Sequence, residues 1–148
     1  MGARRKGREL AVQALYQIEL AGDASAGGLN LFWQQAEASS HAKEFAMGLV
    51  AGVRERQAAI DELITQCSEH WRFERLSRVD LCVLRLATYE LLATPNVPTS
   101  VVLDEAIEIA RRFGTEESAT FVNGILDQVA TRLGVKQPPL NQETRKDG

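Results

Sequence analysis

Aromatic side chains make up only 6% of this chain. Its core must therefore come mostly from Leu, Val, Ile and Ala, which favours closely packed helices over a strand-rich fold. Cysteine is almost absent: Cys67 and Cys82 stand apart with no CxxC pair, which fits two core-like thiols in the cytosol better than a secreted disulfide scaffold. The longest apolar stretch, residues 79–93, is interrupted by Asp80, Arg85 and Glu90, so it does not read as a membrane span. No apolar run follows the basic start, so no signal peptide is read there. The two histidines, His41 and His70, have no partners at metal or nucleophile spacing, and Ser68-Glu69-His70-Trp71 is not a zinc motif. Gly22, Gly27 and Gly28 lack a following Lys-Ser/Thr, which leaves no phosphate-binding loop. Enzymatic chemistry is poorly supported, and no cofactor is expected.

What is present is one domain's worth of helix-forming sequence. The 148 residues are 45% hydrophobic, normal for a globular core. Net charge is −3, which taken alone argues against nucleic acid, but the distribution is uneven. Arg4, Arg5, Lys6 and Arg8 stand in the first eight residues without an acid. Four of the seventeen cations are thus used there, and the remaining 140 residues hold thirteen against all twenty acids, a net −7. A cationic end on an anionic body is what a localised anion binder needs, because the body repels phosphate elsewhere. A solvated basic leader with no ligand fits the same pattern.

Periodicity places the helices. Leu10, Ala11, Ala14, Leu15 and Ile18 mark a first helix over about residues 4–20. The glycine-rich stretch 22–28 reads as a flexible loop, followed by a short amphipathic piece over 29–38 with Phe32 and Trp33. Ser39 or Ser40 can cap the next helix. Phe45, Leu49 and Val53 form its stripe, and Gly48 and Gly52 offer a groove to a neighbour. Ile60, Leu63, Ile64 and Cys67 continue the period, as one long helix or two in tandem, up to a connection at 71–76. Ser77 caps a helix over 78–93 that is apolar on nearly every side, which makes it either central or the bearer of a partner-facing surface. Pro95 and Pro98 end it. The next helix starts near Thr99 or Ser100, has its acids early and Arg111 and Arg112 late, as the helix dipole favours, and ends at Gly114 in the C′ position. Thr115 caps the last helix, whose stripe runs through Phe121, Val122, Ile125, Leu126, Val129 and Leu133 and stops at Gly134. Gly124, inside that stripe, reads as a point of close helix packing. Residues 135–148 read as a disordered tail. The expected fold is all-α, about six to seven helices, with a helical domain over 1–134 divided near residue 75.

At about 100° per residue, Arg5, Val12 and Tyr16 share one face of the first helix, with Arg4 and Arg8 stacked beside them at i, i+4. Guanidinium groups grip phosphate bidentately and stack on bases, and a tyrosine alongside can stack an unpaired base. A core-edge tyrosine beside solvated arginines would show the same spacing.

Three blocks carry a resemblance: ARRKGRELAVQALY at the start, SRVDLCVLRLATYELL in the middle, and VPTSVVLDEAIEIARRFGTEESATFVNGILDQVA near the end. In order and spacing they resemble the NusB family of transcription antitermination factors, over residues 3 to about 133. The FVNGILD string in its FG context is the most specific part. The resemblance implies two three-helix subdomains, no cofactor and no reaction. It implies binding of boxA-type single-stranded RNA together with NusE, a small-subunit ribosomal protein, in the RNA polymerase antitermination complex on ribosomal RNA operons. It carries RNA contacts onto Arg4, Arg5, Lys6, Arg8 and Tyr16, and further onto Phe121 and Asn123. It carries a protein-partner surface onto Asp80, Leu84 and Arg85, with Glu105 beside them. Lys6 and Gly7 depart from the arginine and alanine often found in the family. Gly7 costs about 1 kcal/mol of helix stability, so this end is expected to be loose until RNA binds. Monomer and homodimer both stay open. Two other readings stand: the same helical module resembles the N-terminal part of certain ribosomal RNA cytosine methyltransferases, and a protein-interaction bundle could bind no RNA.

Overall fold

The computed structural model describes residues 2–21, 26–68 and 76–135, without the side chains of residues 26–28. Seven α-helices and no strand occur among these residues: α1 (Ala3–Ala21), α2 (Ala26–Gln35), α3 (Ser40–Glu55), α4 (Gln57–Cys67), α5 (Arg78–Ala93), α6 (Thr99–Phe113) and α7 (Glu116–Leu133). Three starts are fixed by the hydroxyls that the sequence offered. Ser39 accepts from the Ala42 N–H and Ser77 from the Asp80 N–H. Thr115 accepts from the Ser118 N–H while the Ser118 hydroxyl accepts from the Thr115 N–H. Each satisfies donors that the first helical turn leaves unpaired. Gly134, at φ 72°, closes α7 in the left-handed conformation.

The tandem reading of the third helical stretch holds. Arg56, at φ −110° and ψ 15°, separates α3 from α4, and its N–H still donates to the carbonyls of Gly52 and Val53. The loop expected over 22–28 does not extend past residue 25, since α2 begins at Ala26 and takes in Gly27 and Gly28. Leu29, Phe32 and Trp33 of α2 and Ala36 just after it pack against the core, and that burial offsets the backbone cost of two helical glycines. The expected loop at 22–25, the connection at 71–75 and the tail beyond 135 lie outside the described residues.

Helix α5 is the centre. It packs against α1, α3 and α4 on one side and α6 and α7 on the other, and residues 80–88 along it are all buried. Its all-round apolarity is explained by these five neighbours, the central of the two readings above. One cluster of buried side chains joins Leu10, Leu15, Val53 and Ile64 to Leu84, Ile109, Val122 and Leu126 across all the long helices.

Two glycines set how closely α3 approaches its neighbours. A Cβ on Gly7 of α1 would lie 2.6 Å from Phe45 Cδ2 and 3.0 Å from the Ala42 carbonyl oxygen. Gly7 is therefore a contact between α1 and α3. A Cβ on Gly52 would lie 2.2 Å from the Tyr89 ring of α5. Gly48 and Gly124 meet nothing within 4 Å, so the groove proposed for the 48–52 pair exists at Gly52 alone, and Gly124 is not a packing point. Gly114, at φ −109°, is not in the left-handed region; it lacks a side chain because a Cβ would lie 2.5 Å from Ser118 Oγ.

Paired substitutions check this. Gly52→Ala should destabilise the fold by about 1–3 kcal/mol through collision with Tyr89, while Gly48→Ala, one turn earlier, should stabilise it by up to about 1 kcal/mol. Urea denaturation of the two variants reads both signs.

Candidate nucleic-acid interface

The four cations at the start of α1 divide by their partners. The Arg8 guanidinium donates to Glu90 of α5 through Nε at 2.8 Å and Nη2 at 2.9 Å, with side chains only 5% and 3% exposed. It also lies 5.5 Å from the Phe45 ring centre. Arg8, expected on RNA, is thus an internal fastener: its charge is spent on Glu90 and out of reach of a phosphate. Arg5 donates through Nε and Nη2 to Glu105 of α6, the closest approach being 2.7 Å, and remains 45% exposed. Its Nη1 hydrogens have no acceptor among the described residues. Arg4 is exposed and stacks 5.1 Å over Phe45. Neither Arg4 nor the half-buried Lys6 has a carboxylate partner among the described residues. No acid lies in the first turn of α1, so the positive end of the helix dipole and two uncompensated cations point the same way.

Burial and pairing also decide the positions that the resemblance gave to a protein partner. Leu84 is fully buried, and Arg85, 6% exposed, is gripped by Asp61 of α4 at 2.8 Å and Glu19 of α1 at 2.8 Å. These two residues hold α5 to α4 and α1 and are not available as a docking surface. Asp80, 8% exposed in the first turn of α5, keeps Oδ1 without a hydrogen-bond partner among the described residues. Glu105 is the partner of Arg5 rather than part of the α5 surface.

Tyr16 is half-buried and lines an open hollow of about 440 Å³ with Val12, Gln13, Gln17, Phe32, Val79 and Phe113. Phe121 is half-buried and lines a second hollow of about 450 Å³ on α7 with Glu116, Glu117, Thr120 and Gly124. Phe121 is therefore neither plain core nor a freely presented ring. Asn123 is exposed, and two residues on a helix are about 200° apart, so it does not share the Phe121 hollow. The structure brings Arg4, Arg5, Lys6 and Tyr16 together along α1 and places Phe121 and Asn123 on α7, which does not pack broadly on α1.

One cation escaped the sequence reading. Arg112, taken there as a helix-dipole complement, donates to Glu9 of α1 at 3.2 Å and lies 5.5 Å over the Phe113 ring. Its only sequence signal was position: it directly precedes an aromatic.

A family model described as the NusB family matches residues 5–131. The chain belongs to the NusB family. It is 46% identical to the transcription antitermination protein NusB of Sorangium cellulosum over 134 residues, covering 90% of this chain and 96% of that one. The NusB of Myxococcus xanthus is 48% identical, covering 90% and 98%. Among solved structures, T. maritima NusB superimposes with a TM-score of 0.77 at 44% identity over 86% of this chain and 90% of that chain. A crystal structure of antitermination factors NusB and NusE with double-stranded RNA shares the fold, with a TM-score of 0.77 at 23% identity over 89% and 98% of the two chains. The family is non-enzymatic and its members are named for antitermination, which sets aside the methyltransferase reading. No helix among the described residues is long and apolar enough to cross a membrane.

Two measurements check the site. Arg8→Ala should cost about 3–5 kcal/mol by stranding the buried Glu90 carboxylate, whereas Arg8→Met with Glu90→Leu should recover most of it. For Glu105, the hydrogen bond from Arg5 holds its carboxyl below the ordinary 4.5. A depressed carboxyl contributes stability that is complete above its unfolded value and disappears as pH falls through the folded one. The stability difference between wild type and Glu105→Gln should therefore shrink as pH drops below 4.5, read by urea midpoints across acid pH.

Proposed function

We propose that this chain is an RNA-binding transcription antitermination factor that captures boxA-type single-stranded RNA together with NusE and supports ribosomal RNA transcription. The observation that carries the reading is the uncompensated positive end of α1. With Arg8 and Glu90 paired inside, Arg4 and Lys6 remain unneutralised beside the half-exposed Arg5. These three cations bind phosphates, and Tyr16, further along α1, stacks an unpaired base. Phe121 and Asn123 on α7 supply further RNA contacts. The NusB–NusE pairing in the related complex supports NusE as partner. The resemblance carries that partner's surface onto Asp80 at the start of α5, and further onto Glu105 of α6. The pair acts within the RNA polymerase antitermination complex in the cytoplasm, and a homodimer covering the basic end would compete with RNA.

If three phosphates are neutralised, the slope of log K against log salt should be about −2 for single-stranded RNA. Fluorescence anisotropy with a boxA-type oligomer should show Arg4→Ala/Lys6→Ala flattening that slope by about 1.4, while a scrambled oligomer of equal length binds more weakly to wild type. Equal slopes for the two proteins remove the assignment of the α1 end. Addition of NusE should tighten wild-type binding by joining two weak contacts on one RNA.

A further inference from the structure

Two ion pairs cross the seam between α1 and α6 in opposite senses, Arg5 of α1 to Glu105 of α6 and Arg112 of α6 to Glu9 of α1. In both, the acid is inside and the cation outside: Glu105 and Glu9 are 14% and 7% exposed, Arg5 and Arg112 45% and 57%. The pairs differ in which donors the acid takes. Glu9 receives a single N–H, from Nη1 of Arg112 at 3.2 Å. Glu105 takes one whole edge of Arg5: Nε donates to Oε1 at 3.0 Å and Nη2 to Oε2 at 2.7 Å. A guanidinium is a planar fork of five N–H donors. With the Nε–Nη2 edge filled, both hydrogens of Nη1 and the outer hydrogen of Nη2 remain, and they have no acceptor among the described residues. That outer edge is a second fork, able to grip a phosphate bidentately.

Arg85 shows that one guanidinium can serve two anions in this way. It gives the same Nε–Nη2 edge to Asp61, at 2.8 Å from each atom, and its Nη1 donates to a second carboxylate, Glu19, at 2.8 Å. Arg5 repeats the first half of that geometry at the surface.

Glu105 acts on an approaching phosphate in two opposed ways. Its charge repels, but at a guanidinium 45% exposed, water and salt screen that repulsion. The hydrogen bond from Arg5, then the charges of Arg5 and Arg8, hold the Glu105 carboxyl below 4.5, so the acid stands between two cations that offset its field. The ordering effect is not screened. A free arginine gives up rotamer freedom when it grips phosphate, and Arg5 has given it up already.

We propose that Glu105 is a positioning residue for RNA binding: it clamps the inner edge of the Arg5 guanidinium and so aims the outer edge, Nη1 and the free hydrogen of Nη2, at one RNA phosphate. The proposal rests on the RNA-binding reading above and gives Glu105 a part in it that involves no contact with the RNA.

The test separates orientation from charge. Binding of a boxA-type single-stranded RNA, without NusE, is measured by anisotropy over a salt series for wild type, Glu105→Gln, Arg5→Lys and the double variant, below the melting point of each. Capture of NusE is measured separately. Glu105→Gln is expected to weaken RNA binding about threefold to fivefold with the salt slope unchanged, since every cation is still present. Arg5→Lys is expected to do the same, because lysine is a point charge with no edge to aim. Added to Arg5→Lys, Glu105→Gln is expected to weaken binding no further. Tighter binding by Glu105→Gln would make the acid a competitor of phosphate and overturn the proposal. An equal loss with arginine or lysine at position 5 overturns it as well, as does unchanged RNA affinity with weakened NusE capture. Wild type that binds no RNA removes the function beneath the proposal, an outcome distinct from these three.

Discussion

A guanidinium and a carboxylate, both withdrawn from water, fasten the first helix to the fifth. A buried pair of this kind gains little over a well-packed apolar substitute, because desolvation of two ions nearly cancels their attraction. What it supplies is register. Arg8 can meet Glu90 bidentately at one rotation of α1 only. That rotation turns Arg4 and Lys6 away from acids, sets Arg5 over Glu105, and brings Val12 and Tyr16 to the seam with α6. The arrangement of the cationic surface depends on a cation that never reaches it.

Helix α5 extends the same logic. Arg85 ties α1 and α4 to it through Glu19 and Asp61, and the thiol of Cys82, buried beside them, is pushed up to about 12 by desolvation. Buried ion pairs and apolar contacts thus share the central helix: Glu90 and Arg85 both reach α1, and Arg85 reaches α4 as well. A helix with five neighbours has no spare apolar stripe along its middle.

Much of this was legible in the residues. Ser39, Ser77 and Thr115 announce three helix starts because capping is local chemistry within four residues. The apolar stripes of α1, α6 and α7 were readable for the same reason. The closest helix approaches were not. Gly7 meets Phe45 and Gly52 meets Tyr89 across 38 and 37 positions, and nothing near a glycine tells what will face it. Arg8 was assigned to RNA because spacing gives the face of a helix but not what lies opposite. Arg112 was read only as a dipole complement because two adjacent arginines look alike until their acids, Glu9 for Arg112 and Glu108 and Glu116 for Arg111, distinguish them. Family resemblance supplied Tyr16 and Phe121, which periodicity alone leaves as core edge.

The crossed ion pairs of the α1–α6 seam have a consequence for how the molecule looks from outside. A formal charge of −3 counts every group equally, but an approaching polyanion senses chiefly the charges nearest solvent. Where acids are tucked beneath and guanidinium groups lie above them, a locally neutral set of four side chains presents a positive exterior. Bulk isoelectric behaviour and the local sign of the surface are therefore decoupled: a chain with a net charge of −3 can still turn a positive face outward.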